Sequence, residues 1–285
     1  MTTVIDELDR LRATVREWKR AGERVAFVPT MGNLHAGHFS LVRLARKHAD
    51  RVVASVFVNP TQFGPNEDFA RYPRTPERDA QGLEEAGCDV LWMPSVETMY
   101  PFGVDGAVRV QVPGVTDVLE GAHRPGHFDG VATVVARLFL QVQPDIAVFG
   151  RKDYQQLAVI RYLVREMSFP IEIVPADTRR ADDGLAMSSR NQYLSDDERA
   201  RAVAIHRVLG RMRDGAVAGR SVADIEADAA AELGGEGFDV DYAVLRRRDF
   251  QAAEAGDREL VALVAARIGR TRLIDNLEFE RPPSA

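Results

Sequence analysis

The sequence predicts an α/β protein, a doubly wound parallel-sheet domain followed by a smaller α+β domain, and three observations carry that expectation. Short buried-strand runs alternate with segments of helical period through the first 174 residues, the pattern of a parallel sheet covered by helices on both faces. Beyond about residue 180 two helical segments are followed by three strand-like runs, the pattern of an α+β unit. A chain of 285 residues with 45% hydrophobic side chains is near the size at which a single core stops growing, so two cores are expected.

The elements follow in order. Leu8, Leu11, Val15 and Trp18 recur at helical spacing over 6–20, and 24–29 (Arg-Val-Ala-Phe-Val-Pro) is a short buried strand. A helix over 36–48, a strand over 52–58, a helix opened by Thr75-Pro76-Glu77 and a strand over 89–93 continue the alternation. Helix 131–142, strand 146–149, helix 154–167 and strand 171–174 close it. Further on, Ser195-Asp196-Asp197-Glu198 is a capping box opening a long helix; a second helix covers 222–233, and strands are expected at 240–245, 260–266 and 270–275. The domains are therefore expected at 1–178 and 179–285, with a hinge near 175–184. The tail from Glu280, with two prolines and no apolar anchor, is expected to fray.

A net charge of −6 argues against a nucleic-acid binder. The single cysteine, Cys88, excludes an intrachain disulfide framework and fits a reducing compartment. No apolar run is long enough to cross a bilayer, and the acidic N-terminus lacks the order of a signal peptide. A cytoplasmic protein without membrane contact is expected.

The sharpest chemical signal is Pro29-Thr30-Met31-Gly32-Asn33-Leu34-His35-Ala36-Gly37-His38, where the strand at 24–29 hands over to a helix. Helix N-terminal N–H groups favour phosphate oxygens. His35 and His38, three apart, share a face and can both donate to charge growing on a phosphate. This HxGH arrangement suits nucleotidyl transfer and leaves the substrate open, since class I aminoacyl-tRNA synthetases and small adenylyltransferases share it. Gly150-Arg151-Lys152-Asp153 follows another strand: Lys152 offers a point charge to phosphate and Asp153 an acceptor for ribose hydroxyls, although Lys-Asp alone reads first as a solvated charged turn. Met187-Ser188-Ser189-Arg190 places two hydroxyls and a guanidinium in sequence, suited to a triphosphate or simply a polar turn. Gln62 and Gln156 are amides able to hold a hydroxy acid without neutralising its carboxylate.

The strings PTMGNLHAGH, NPTQF, YPRTPERD, HRPGHFDGVATVV, GRKDYQQL and DGLAMSSRNQYL, in this order over roughly residues 1–195, resemble those of the pantothenate synthetase family. The resemblance implies ATP-dependent condensation of (R)-pantoate with β-alanine through a pantoyl adenylate, releasing AMP and pyrophosphate, on a Rossmann-like fold. It implies ATP binding by Met31, Gly32, Asn33, Leu34, His35, Ala36, Gly37 and His38, with His38 as proton donor and His35 and Lys152 at the phosphates. Gly150, Arg151, Lys152, Asp153, Arg179, Met187, Ser188, Ser189 and Arg190 complete the nucleotide site. Gln62 and Gln156 would hold pantoate, Gln62 also lying near β-alanine, with Arg124 and His127 at the mouth. Asp79 would stand near Mg²⁺, directly or through water, its alternative being a carboxylate favoured by the helix dipole. The family's usual residues differ at Arg151, often Glu, and Arg179, often apolar. A homodimer is implied as well.

Two enzyme alternatives and one non-enzyme remain. A truncated aminoacyl-tRNA synthetase needs an anticodon-reading region and a basic surface, neither of which is evident, and a dinucleotide-type adenylyltransferase shares HxGH without the paired glutamines, which leaves another small-substrate adenylyltransferase of the superfamily as the alternative. A nucleotide sensor is expected to have lost one of His35, His38, Lys152 or Ser188, all of which are present.

Overall fold

Strand β1 (Thr3–Ile5), only three residues long, forms one edge of a six-stranded parallel sheet by pairing with β4 (Val90–Trp92). The computed structural model describes residues 1–64, 69, 72–254 and 256–282. They form two compact units, Met1–Thr178 and Arg179–Ala285.

In the first unit, α1 (Leu8–Arg20), β2 (Val25–Thr30), α2 (Ala36–His48), β3 (Arg51–Val56) and α3 (Pro76–Ala86) precede β4. Two short helices, α4 (Val96–Met99) and α5 (Glu120–His123), lead to α6 (His127–Val142), β5 (Ile146–Gly150), α7 (Tyr154–Glu166) and β6 (Glu172–Ala176). The strand order is β1-β4-β3-β2-β5-β6.

Because strand side chains alternate, each strand feeds two cores. Phe27, Val53, Trp92 and Phe149 point to the face covered by α1, α6 and α7. Ala26, Val28, Val52, Ala54 and Val148 point to the face covered by α2 and α3. The chain leaves β2 toward β3 on one side and reaches β5 on the other, so a crevice opens beyond the carboxyl ends of β2 and β5, where open α/β sheets bind ligands.

The second unit has α8 (Asp196–Ala202), α9 (Ala204–Val217) and α10 (Val222–Gly235) before an antiparallel sheet of β7 (Asp239–Arg247), β8 (Glu259–Ile268) and β9 (Thr271–Glu280). Val208, Leu209, Met212, Leu233, Leu245, Leu260 and Val264 lie in its core. The Ser195 capping box forms as expected: the Ser195 hydroxyl accepts from Glu198 N–H at 3.2 Å, and Ser195 N–H donates to the Glu198 carboxylate at 2.9 Å. The single long helix expected after it is two helices meeting at Val203.

Fraying does not begin at Glu280, which ends β9, and the Arg281 N–H donates to the Arg258 carbonyl at 2.8 Å. Residues 283–285 lie outside the described residues. Cys88 is buried with its thiol pushed up to about 12 by that burial, the state of a packed side chain and not of a nucleophile.

Candidate active site

Thr30 ends β2 with its hydroxyl donating to the Ser55 carbonyl at 2.7 Å and accepting the Gly32 N–H at 3.2 Å, which turns the chain out of the sheet. Gly32 has φ 87°, and a Cβ there would stand 2.9 Å from Val56 Cγ1 and 3.1 Å from Asp79 Oδ2, so only glycine fits. Asn33 follows with φ 52°, a left-handed conformation that asparagine tolerates.

The α2 N-terminus is capped by the two histidines themselves. His35 Nδ1 accepts the Gly37 N–H at 3.1 Å, and His38 Nδ1 accepts the His35 N–H at 3.3 Å. A neutral imidazole that accepts at Nδ1 carries its hydrogen on Nε2. Both rings, 4.1 Å apart between centroids, therefore present an Nε2–H donor.

Electrostatics keeps them neutral. Burial, then the Lys152 ammonium, lowers His35 from 6.5 to about 4, with Asp153 opposing. Burial, then His35, lowers His38 from 6.5 to about 3. With its value lowered so far, His38 is a neutral imidazole at neutral pH and not an imidazolium. The linkage sign follows: between the unfolded value of 6.5 and the folded values near 4 and 3, the unfolded chain binds more protons. These two histidines therefore contribute stability above pH 6.5 that is lost as pH falls toward 4. No inflection from these two histidines near pH 6.5 is expected in the pH–rate profile of the reaction at this site, measured where circular dichroism reports a folded protein.

Asp79, in the first turn of α3, is fully buried. Its Oδ2 accepts the Asn33 N–H at 2.9 Å, while Oδ1 accepts the Leu34 N–H at 2.8 Å and the Thr75 hydroxyl at 3.0 Å. Both carboxylate oxygens of the residue that the sequence places near Mg²⁺, directly or through water, are thus engaged by the backbone of the loop leaving β2 and by Thr75. Among the described residues no cluster of three or more His, Cys, Asp or Glu is placed to hold a metal ion.

The second loop leaves β5 at Gly150. The Arg151 N–H donates to the Ala176 carbonyl at 2.8 Å, and its guanidinium lies 3.3 Å from Asp177. Lys152, only 19% exposed, has its ammonium 3.9 Å from Asp153. Its field reaches both histidines, so the loops after β2 and β5 meet electrostatically across the crevice.

Gln62 sits in a 3-10 turn, Pro60–Gln62, after β3. Buried Asn59 donates from Nδ2 to Gln62 Oε1 at 3.1 Å and to the Gly130 carbonyl at 3.2 Å, while its Oδ1 accepts the Tyr100 hydroxyl at 2.6 Å. Gln62 Nε2 is thereby turned toward Met31, 3.0 Å from its sulfur. Helix α6 crosses so close that a Cβ on Gly130 would be driven into the Thr61 carbonyl. His127 Nδ1 donates to the Gln62 carbonyl at 2.9 Å and its Nε2 accepts from Arg124 at 3.1 Å, which places this pair beside the Gln62 turn. Gln156 stands half-buried in the first turn of α7.

Sequence reasoning missed Asn59 and Tyr100 as the groups that orient Gln62. The polar Asn59, three residues past the buried strand β3 and inside the NPTQF string, was the available signal.

The other expected nucleotide residues belong to the second unit. Residues 179–187 fold back on themselves: Arg180 bridges Ala186, and the Met187 N–H donates to the Arg179 carbonyl at 2.9 Å. Arg179 is exposed, whereas Arg180 is committed to Asp275 by two bonds of 2.6 and 3.0 Å. The Ser188 hydroxyl accepts the Arg190 N–H at 3.2 Å, capping the 3-10 turn Ser189–Tyr193 and keeping its own hydrogen free to donate.

A family model described as Pantoate-beta-alanine ligase matches residues 3–278. A pantothenate synthetase from Stenotrophomonas maltophilia (strain R551-3) is 67% identical over 98% of this chain and 100% of its own length. Another, from Xylella fastidiosa (strain 9a5c), is 64% identical with the same coverage. Among solved structures, a pantothenate synthetase from Thermus thermophilus aligns with a TM-score of 0.90 at 49% identity, covering 97% of this chain and 99% of that one. A pantoate-beta-alanine ligase from Francisella tularensis, complexed with beta-gamma ATP and beta-alanine, aligns with a TM-score of 0.83 at 32% identity, covering 100% of both. With near-complete coverage at such identity, the chain belongs to the pantoate–β-alanine ligase family.

Proposed function

We propose that this chain performs its family's ligation in two steps at one site, first activating pantoate with ATP and then passing the pantoyl group to β-alanine. A pantoate carboxylate oxygen attacks the α-phosphorus, and the α–β bridging oxygen departs with pyrophosphate. The β-alanine amine then attacks the acyl carbonyl, loses a proton and expels AMP. Activation is needed because a carboxylate resists nucleophiles, whereas its mixed anhydride with AMP offers a good leaving group.

The observation that carries this reading is the pair of neutral imidazoles, each with Nδ1 occupied and Nε2–H available, at the β2/β5 crevice within the field of Lys152. Donors fixed before the reaction and aimed at charge that grows during it act on the transition state more than on the ground state. Lys152 is assigned to the phosphates, Gly150 and Asp153 to the ribose, and Gln62 and Gln156 to pantoate, with Gln62 also near β-alanine. Arg179 and Met187–Arg190 are assigned to the adenine edge and triphosphate. Mg²⁺ is taken to travel with the triphosphate, as it commonly does, where it would neutralise phosphate charge, and Asp79 is the protein group proposed near it, directly or through water. We place the enzyme in the cytoplasm as a homodimer. No helix among the described residues is long and apolar enough to cross a membrane.

The test is to mix the purified protein with ATP, Mg²⁺, β-alanine and pantoate labelled with ¹⁸O in its carboxylate. Pantothenate is expected with AMP in equal amounts, and one ¹⁸O is expected in the AMP phosphate. Unlabelled AMP excludes the adenylate, and failure to form pantothenate excludes the function.

A further inference from the structure

Ahead of the Arg124–His127 pair, the chain makes a turn that leucine does not adopt freely. Leu119 has φ 49° and ψ −118°, the first central position of a type II′ turn, which normally belongs to glycine. The turn is closed by the Gly121 N–H on the Val118 carbonyl at 2.9 Å. A leucine persists in such a conformation only where its surroundings hold it.

The holder is Gln155, in the first turn of α7 and only 4% exposed. Its Oε1 accepts the Glu120 N–H at 3.0 Å, and its Nε2 donates to the Val115 carbonyl at 2.6 Å and the Val118 carbonyl at 2.8 Å. One amide thus satisfies peptide groups on both sides of Leu119. Val159, one turn along the same face of α7, packs with Val112, Phe128 and Ala132, so the contact has an apolar half as well.

From this turn an unbroken series of bonds leads to the pocket. The His123 N–H donates to the Leu119 carbonyl at 3.1 Å, the Arg124 N–H to the Glu120 carbonyl at 2.8 Å, and the His127 N–H to the Arg124 carbonyl at 3.0 Å. His127 then meets the Gln62 carbonyl at 2.9 Å. Gln156, the next residue on α7 after Gln155, lies about 100° further round the helix.

We propose that Gln155 is a positioning residue for the pantoate pocket: by clamping the strained Val118–Gly121 turn to α7, it sets Arg124 and His127 against Gln62. The proposal rests on the assignment of Gln62 and Gln156 to pantoate. It makes Gln155 and Gln156 two amides with different duties, the first organising the wall and the second facing the substrate.

The test separates this role from general support of the fold. Gln155→Met keeps the volume and removes all three bonds; the pantoate KM is expected to rise roughly tenfold or more while the ATP KM stays within about twofold. Gln155→Glu can accept from Glu120 N–H but cannot donate to the two carbonyls, so it is expected to behave like Gln155→Met. Leu119→Gly, which relaxes the turn, is expected to keep the wild-type pantoate KM alone and to restore most of it when combined with Gln155→Met. That double variant also serves if Gln155→Met alone does not fold.

A wild-type pantoate KM in Gln155→Met overturns the proposal, as does an equal rise in both KM values that Leu119→Gly leaves uncorrected. Wild-type protein that turns over a different acid but not pantoate overturns the pocket assignment and the proposal together. Wild-type pantoate turnover with an unaffected Gln155→Met overturns the proposal alone.

Discussion

His38→Ala lowers the rate of pantoyl-adenylate formation by about two to three orders of magnitude, the usual cost of removing one preorganised donor from a site of developing charge, ~3–4 kcal/mol. The reason lies in the tautomer. His38 Nδ1 is occupied by the His35 N–H, so the ring has one hydrogen to give and gives it from Nε2. That bond strengthens as charge builds on the phosphates, so kcat and kcat/KM fall together and the KM values change little. The same substitution removes one cap bond from α2, worth about 1 kcal/mol, and the protein stays folded. His38→Gln separates the two effects, because a glutamine at this helix position can accept from the His35 N–H in capping-box fashion. It recovers the stability while leaving most of the rate deficit. Single-turnover measurement of pyrophosphate release with ATP and pantoate, without β-alanine, reads the step directly. A rate for His38→Ala within a fewfold of wild type removes the donor role.

The features that were readable in the sequence are those written in local chemistry. The β2–α2 junction was visible because a buried run is followed by two histidines spaced for one helix face, and α2 spans the expected residues, Ala36–His48. Strand β1 was not, since three residues carry too little pattern and its edge position depends on β4, nearly ninety positions away. Helix α6 begins at His127, four residues before the predicted start at 131. Its first turn reads as a polar, glycine-containing loop, and Gly130 is there for contact with the Thr61 turn and not for helix propensity. The break at Val203 was likewise invisible, because no proline or glycine marks it.

At the site, residue identities were legible while their states were not. A histidine on paper has an ordinary value near 6.5; only burial and the nearby Lys152 place His35 near 4. Asn59, Tyr100 and Gln155 act through partners 3–41 positions distant, and no spacing rule joins them.

Asp79 has contacts that give it a structural duty beside the place near Mg²⁺ suggested by its position in the sequence, and its replacement carries the second large effect. Asp79→Ala leaves the N–H groups of Asn33 and Leu34 and the Thr75 hydroxyl without their acceptor, in a place where water does not reach the carboxylate. Each orphaned buried donor costs about 1–3 kcal/mol, so the first unit is expected to lose ~3–5 kcal/mol of stability. Asp79→Asn is the more informative variant. It preserves the volume between Gly32, Val56 and the loop but keeps one acceptor oxygen, and its amide nitrogen must face one of the two N–H groups. A loss of about 2 kcal/mol is expected, together with a raised ATP KM, because the loop that presents Ala36–His38 to phosphate is no longer pinned. A floor for the loop and a ligand for Mg²⁺ make opposite demands on the metal dependence. If Asp79 is the floor, the Mg²⁺ concentration giving half-maximal rate at saturating ATP is the same in Asp79→Asn as in wild type, while the denaturation midpoint falls. If it is a ligand, the Mg²⁺ requirement climbs and the midpoint of the metal-free protein does not move. Chemical denaturation without nucleotide, alongside a Mg²⁺ titration of the rate, decides between them, and a wild-type midpoint for Asp79→Ala refutes the floor outright.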